Sequence, residues 1–311
     1  MRRASRGLAT LALAAGLLPG TAPPAAAAER NCLGERPTHI GTHGDDVIRG
    51  TNEEDVIVGL GGDDTILGLK GEDFICAGNG RDELFGGGWD DDLSGGGGPD
   101  RIDGGRGRTD LVLFQYSTKR VRADLAKGTA RGEGDDRLEG IEYMRGSKQG
   151  DVLLGDQRSN AIMGGPECCR DGDDRISGRG RTDYLSGADG RDVIRGGDGI
   201  DVVYGDASKS GDSDTLYGGA DNDLVIGDNA EERGHSDVID GGEGNDRLFG
   251  DNTFEGLERR GRADVITGGE GDDSVNGQQG DDDLDGGEGE DSVNGGSGSD
   301  VCTGESTTNC E

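Results

Sequence analysis

The chain has 311 residues, of which 30% are hydrophobic and 4% aromatic, so a large conventional core is excluded. Asp and Glu number 65 against 32 Lys and Arg, and a formal net charge of −33 excludes nucleic acid and acidic membranes as partners. The 65 glycines in so polar a chain would read as disorder if they had no pattern, because little apolar surface is available to offset chain entropy.

Residues 1–28 carry Arg2, Arg3 and Arg6, an apolar run from Leu8 to Leu18, and small residues ending at Ala26, Ala27 and Ala28. That order predicts a cleavable secretory signal peptide and a secreted, extracellular protein. Loss of three arginines and no acids would take the net charge from −33 to −36. No later segment is apolar enough for a transmembrane segment. Residues 29–40 form an N-terminal segment containing Cys32.

From residue 41 a period of nine takes over. Asp46, Asp55, Asp64, Asp73, Asp82, Asp91 and Asp100 follow one another at that spacing, and two residues beyond each stands Ile or Leu. The pattern fills a first block, residues 41–109. It resumes at Asp151 and Asn160 and continues through Asp174, Asp183, Asp192, Asp201, Asp214, Asp223, Asp237, Asp246, Asp264, Asp273, Asp282, Asp291 and Asp300, a second block at 146–303. Of the 22 sites two residues on, 21 are Leu, Ile or Val, the exception being Cys302. Collagen needs glycine every third residue and is excluded, as is an unstructured acidic linker.

Each unit approximates GGxGxDxUx, as in Gly268–Asn276, with U a large aliphatic residue. Glycines permit a tight six-residue turn with carbonyls facing inward, and x-U-x forms a short strand that sends one apolar side chain into a thin core. The expected fold is all-β: a right-handed parallel β-roll, a β-solenoid of nonapeptide repeats with two repeats per coil. Stacked turns would bring Asp46 and Asp64, or Asp55 and Asp73, to about 4.8 Å. Like charges that close cost about 3 kcal/mol per pair at an effective dielectric of 20, comparable to what burying one Ile contributes. A divalent cation is therefore required. Calcium suits a cage of carboxylates and carbonyls better than magnesium, which demands tighter octahedral geometry.

These units resemble the repeats-in-toxin (RTX) family, the hemolysin-type calcium-binding repeats. The resemblance implies Ca2+ as cofactor, turn glycines lending carbonyls, and the repeat aspartates from Asp46 to Asp100 and from Asp174 to Asp300 as side-chain ligands. Glu53 and Trp89 replace the fourth-position glycine and Asn160 the aspartate, so those turns are expected to bind weakly or stay empty. Many relatives carry a catalytic or pore-forming domain and a C-terminal export signal; this chain has no room for such a domain.

Residues 110–145 break the period with alternating stretches such as Asp110–Ser117, and are read as a β spacer that continues or braces the roll. In the second block the aspartate step lengthens before Asp174, Asp214, Asp237 and Asp264. Those turns all have the same parity, which places them on one edge of a two-turn coil, where a cell-surface or polysaccharide partner could dock. A degenerate unit at Glu255 and Leu257 would instead shift the parity. Residues 304–311 form a C-terminal cap. Six cysteines in an exported chain favour disulfides over zinc, since no Cys-x-x-Cys exists; the candidates are Cys32 with Cys76 and Cys302 with Cys310, while Cys168 and Cys169 pair with each other or elsewhere. The acids are repeated and near-equivalent, as ligands are, and no Ser-His-Asp or metal-histidine constellation is visible. The expected function is a secreted, noncatalytic calcium-binding protein that folds on binding the ion; the alternative is a calcium-dependent adhesin or polysaccharide-binding surface module.

Overall fold

A computed structural model describes residues 32–166, 171–206, 212–228, 235–251 and 262–310. These residues form two long sheets of 14 and 15 strands that face each other, and successive repeat strands alternate between them. Each coil therefore contributes two repeats, and a repeat strand pairs in parallel with the one two repeats on, 18 residues away where no turn is lengthened: Ile48 aligns with Ile66, and Ile57 with Ile75. The fold is a parallel β-roll.

One side chain per strand accounts for the core. Ile57, Ile75, Leu93 and Val112 stack in register in one sheet, and Ile66, Leu84 and Ile102 in the other; all are essentially inaccessible. Their neighbours before and after point away from this core, as the pleat requires, and those of Ile57, Val56 and Val58, are buried in a second cluster with Cys32. Full burial of each aliphatic contributes about 2 kcal/mol, so the single continuous core is built from small, nearly equal increments.

The coil spacing leaves no room for β-carbons at certain turn positions. Gly98 lies in the left-handed region at φ 124°, and a β-carbon there would strike the Gly80 carbonyl of the coil below. Leu69 at the second turn position (φ 85°) and Trp89 at the fourth (φ 89°) adopt the same conformation without being glycine. Non-glycine residues are costly in this region, about 1 kcal/mol or more each.

Residues 110–145 lie within the roll. Strand Leu111–Leu113 and strand Tyr143–Arg145 pair in parallel in the 14-stranded sheet. Between them, strands Arg122–Asp124, Thr129–Arg131 and Asp135–Glu139 form an antiparallel meander in the 15-stranded sheet, one end pairing with Arg101–Arg106 and the other with Val152–Leu154. Val121, Ala123, Ala130, Leu138 and Met144 carry the core across without a gap.

The four lengthened turns all lead into strands of the 15-stranded sheet, those beginning at Arg175, Thr215, Val238 and Val265, and so share one edge. Strand Val265–Glu270 pairs with Val238–Glu243, so the 18-residue step leaves the parity unshifted; Glu255 and Leu257 lie outside the described residues. Cys32 is bonded to Cys76, tying the N-terminal segment to the second coil, and Cys302 to Cys310. Cys168 and Cys169 lie outside the described residues.

Candidate metal centre

The sixth residue of each turn sits where the strand ladder ends, and its carboxylate prolongs the ladder. The Asp46 amide donates to Oδ1 of Asp64 at 2.9 Å, Asp64 to Asp82 at 2.8 Å, and Asp82 to Asp100 at 2.9 Å. On the opposite edge Asp55 donates to Asp73 and Asp73 to Asp91, each at 2.9 Å. The second block repeats this: Asp174, Asp192, Asp214, Asp237, Asp264, Asp282 and Asp300 follow one another along one edge, and Asp183, Asp201, Asp223, Asp246, Asp273 and Asp291 along the other. All twenty sequence-predicted aspartates thus fall into two columns, one per edge.

One carboxylate oxygen is consumed in this way and the other is not. Oδ2 of Asp64, Asp73, Asp82, Asp91, Asp174, Asp183, Asp192, Asp201, Asp223, Asp237, Asp246, Asp264, Asp273, Asp282, Asp291 and Asp300 is buried and accepts no hydrogen bond. Apart from Asp82, whose turn opens with Ala77, and Asp291, each such oxygen faces the first glycine of its own turn and a carbonyl from the next coil. A β-carbon on Gly68 would collide with Oδ2 of Asp73 and stand 2.6 Å from the Gly86 carbonyl oxygen; on Gly277 it would meet Oδ2 of Asp282 and stand 2.8 Å from the Gly295 carbonyl oxygen. Glycine at this position keeps open a small space lined by oxygen.

Burial of an unmet charge is reflected in the carboxyl groups. Burial, with the Asp73 carboxylate adding, pushes Asp91 up to about 8. Burial also raises Asp82 to about 6, Asp183 to about 7, and Asp174 and Asp264 to about 9. In each case loss of hydration outweighs the hydrogen bond that Oδ1 accepts from the turn below. Asp55, at the N-terminal end, goes the other way: burial is outweighed by hydrogen bonds from Thr51 and Thr38 and by the nearby His39.

The donor set consists of carboxylate and carbonyl oxygens. Among the described residues no three His, Cys, Asp or Glu side chains gather around one point, so backbone carbonyls must complete any coordination shell. Hard oxygen donors without nitrogen or sulfur suit calcium, and an unpartnered anionic oxygen beside a carbonyl in a cradle that a methyl group would fill fits that ion.

A family profile described as RTX calcium-binding nonapeptide repeat (4 copies) matches residues 40–75, 77–111, 170–203, 210–230, 234–252, 260–293 and 277–307. The chain belongs to the RTX calcium-binding nonapeptide repeat family. RTX nonapeptide repeats bind Ca2+, and the many buried aspartates in a repeating pattern fit calcium-binding turns. The unmatched residues 112–169 contain all but the first two residues of the spacer and the turns of Asp151 and Asn160. No curated protein matches the RTX chain.

Several acids that the nine-residue period did not single out enter the columns. In the spacer, Asp110 accepts from the Asp91 amide at 2.9 Å, Asp136 from Asp100 at 3.1 Å and Glu142 from Asp110 at 3.3 Å; at the C-terminal end Glu305 accepts from Asp291 at 3.1 Å. Asp228 and Asp251, second in two of the lengthened turns, pair in register and are buried. Burial, then the Asp228 carboxylate, raises Asp251 to about 7. The one available signal was Gly-Asp in place of Gly-Gly at the head of each of these turns. Fifth-position residues form an outer ladder of opposite sense, with the Arg81 amide donating to Asp63 and Glu290 to Asp272.

Proposed function

We propose that the RTX chain is an exported, noncatalytic protein whose roll closes only when calcium occupies the turns, so that ion binding and folding are one event. The observation that carries this reading is the column of buried, unpartnered Oδ2 atoms, repeated with the same surroundings at turn after turn. Calcium, when bound there, supplies positive charge between stacked carboxylates and takes its remaining oxygens from turn carbonyls. The chain's own residues do the rest: glycines hold the cradle open, Oδ1 fixes the carboxylate, and the aliphatic ladder seals the interior.

Repetition also argues against catalysis, because acid and base work needs two groups set apart by their environments, and these are alike. Export is supported by the character of residues 1–28 and by the Cys32–Cys76 and Cys302–Cys310 bonds, which persist in oxidising compartments. The aspartates in the two columns, except where argued otherwise below, are proposed as the side-chain ligands. Equilibrium dialysis of the mature chain against calcium tests this. Several ions per chain, with loss of ions in Asp73→Asn, supports it; no bound calcium at millimolar free ion refutes it.

A second reading, docking to a cell surface or polysaccharide, is favoured by the gathering of the four lengthened turns on one edge. Shortening those turns to nine residues should leave calcium binding intact and abolish retention on a polysaccharide column. Unchanged retention would remove that reading.

A further inference from the structure

Not every turn leaves its aspartate unmet. In the turn Gly50–Asp55, the second residue is threonine. The Thr51 amide and hydroxyl both donate to Oδ2 of Asp55, at 2.6 and 2.9 Å, and the hydroxyl oxygen accepts from the Glu53 amide at 3.1 Å. Thr42 treats Asp46 in the same way, at 2.6 and 2.9 Å, with the Gly44 amide at 3.1 Å. In the second block Ser147 donates its amide to Oδ2 of Asp151 at 2.5 Å and its hydroxyl to Oδ1 at 3.0 Å, and accepts from Gln149. The next turn reaches the same result with the groups exchanged: the Asp156 amide donates to Oδ1 of Asn160 at 2.8 Å, and Oδ1 of Asp156 accepts from Arg158 at 2.7 Å.

The backbone differs accordingly. In the Gly68–Asp73 turn the second and fourth residues, Leu69 and Gly71, lie at φ 85° and 118°. In the four turns above, neither the second nor the fourth residue has positive φ. Without that left-handed kink the second amide points at the carboxylate instead of away from it, and a side-chain oxygen at the second position closes the turn. These four turns are the first two of each block, one complete coil apiece.

We infer that the opening coil of each repeat block is closed by side-chain hydrogen bonds and takes no calcium: Thr42, Thr51, Ser147 and Asp156 do at their turns what the ion does elsewhere. This rests on the calcium reading above. The physical ground is competition for one lone-pair region. Oδ2 of Asp55 already faces two donor hydrogens, and a cation placed there would meet their positive ends. Asn160 carries the same logic further, since a turn that needs no cation needs no carboxylate. Each block thus begins on a metal-independent ledge to which the first calcium-dependent turn adds.

The test is the number of calcium ions held by the full mature chain. Asn160 shows that Asn suits such a turn, so a triple variant Asp46→Asn, Asp55→Asn, Asp151→Asn should hold as many ions as the parent. A triple variant Asp73→Asn, Asp82→Asn, Asp91→Asn should hold fewer. Equal losses in the two variants would overturn the inference while leaving the calcium reading intact; a parent that binds no calcium would sink both. Should the first variant fail to fold, anomalous scattering from terbium in crystals of the parent decides. No ion within coordination distance of Asp46, Asp55, Asp151 or Asn160 supports the inference, and an ion on any of them overturns it.

Discussion

Beyond the opening coil of each block, the two oxygens of a repeat aspartate with an unpartnered Oδ2 have settings that conflict in the absence of a cation. Oδ1 is anchored by the amide of the coil below, which forces Oδ2 into a dry space where a negative charge is costly. The pH dependence follows. A carboxyl whose folded pKa is raised above its ordinary 3.8 stabilises the metal-free roll fully below about pH 4, and loses that contribution as pH rises through the folded value. The relevant values run from about 6 at Asp73 to about 9 at Asp174, so the loss extends from mild acid to beyond neutrality. In chelator, β structure measured by circular dichroism should therefore increase on acidification from pH 8 to pH 5, while calcium affinity falls over the same interval because protonated ligands bind poorly. Less β structure at pH 5 than at pH 8 would contradict this.

Backbone strain at single residues gives a second expectation. Trp89 is largely exposed yet held at φ 89°, so Trp89→Gly should stabilise the calcium-loaded roll by about 1 kcal/mol, read as a higher denaturant midpoint. The sequence showed the sixth-position aspartates because a fixed period multiplies a weak signal. It was silent on Asp136, Glu142 and Glu305, which reach the same columns from irregular spacing, where no period points to them.

Among the elements, the repeat strands were legible because a single aliphatic at constant offset from a turn leaves little choice of register. The spacer was legible only as β structure. Its alternation is the same for an antiparallel meander as for parallel rungs, so the reversal at Thr129–Arg131 had no sequence mark. What anchors the meander to the second block is also long-range. The Arg179 guanidinium donates to both oxygens of Asp124, at 2.8 and 3.1 Å, and to the Gly155 carbonyl at 2.7 Å. That contact, with burial opposing it and Lys127 assisting, holds the Asp124 carboxyl down at about 2. Arg179→Ala would leave a buried carboxylate short of partners and should destabilise the roll by about 2 kcal/mol in calcium. Thermal denaturation of the calcium-loaded protein would show it, and an unchanged midpoint would mean that the pair contributes nothing to joining spacer and block. Residue 179 lies at φ 83°, where alanine keeps the β-carbon strain and glycine relieves it, so Arg179→Gly should be less harmful than Arg179→Ala.

For the whole molecule, the aliphatic ladder and the aspartate columns oppose each other along the entire length. Each coil buries two aliphatic side chains and stacks two carboxylates on their predecessors, contributions of comparable size and opposite sign. The balance repeats with every coil, so it can be tipped cooperatively by a ligand that acts at many equivalent turns. This explains why a chain with 30% hydrophobic residues and a net charge of −33 nonetheless has one continuous core. The most direct test is circular dichroism of the oxidised mature chain in chelator at pH 8, followed by a calcium titration with magnesium as control. The account predicts little β structure in chelator, a cooperative gain at millimolar calcium or below, and no comparable gain with magnesium. A full β spectrum in chelator, unaltered by calcium, would contradict it.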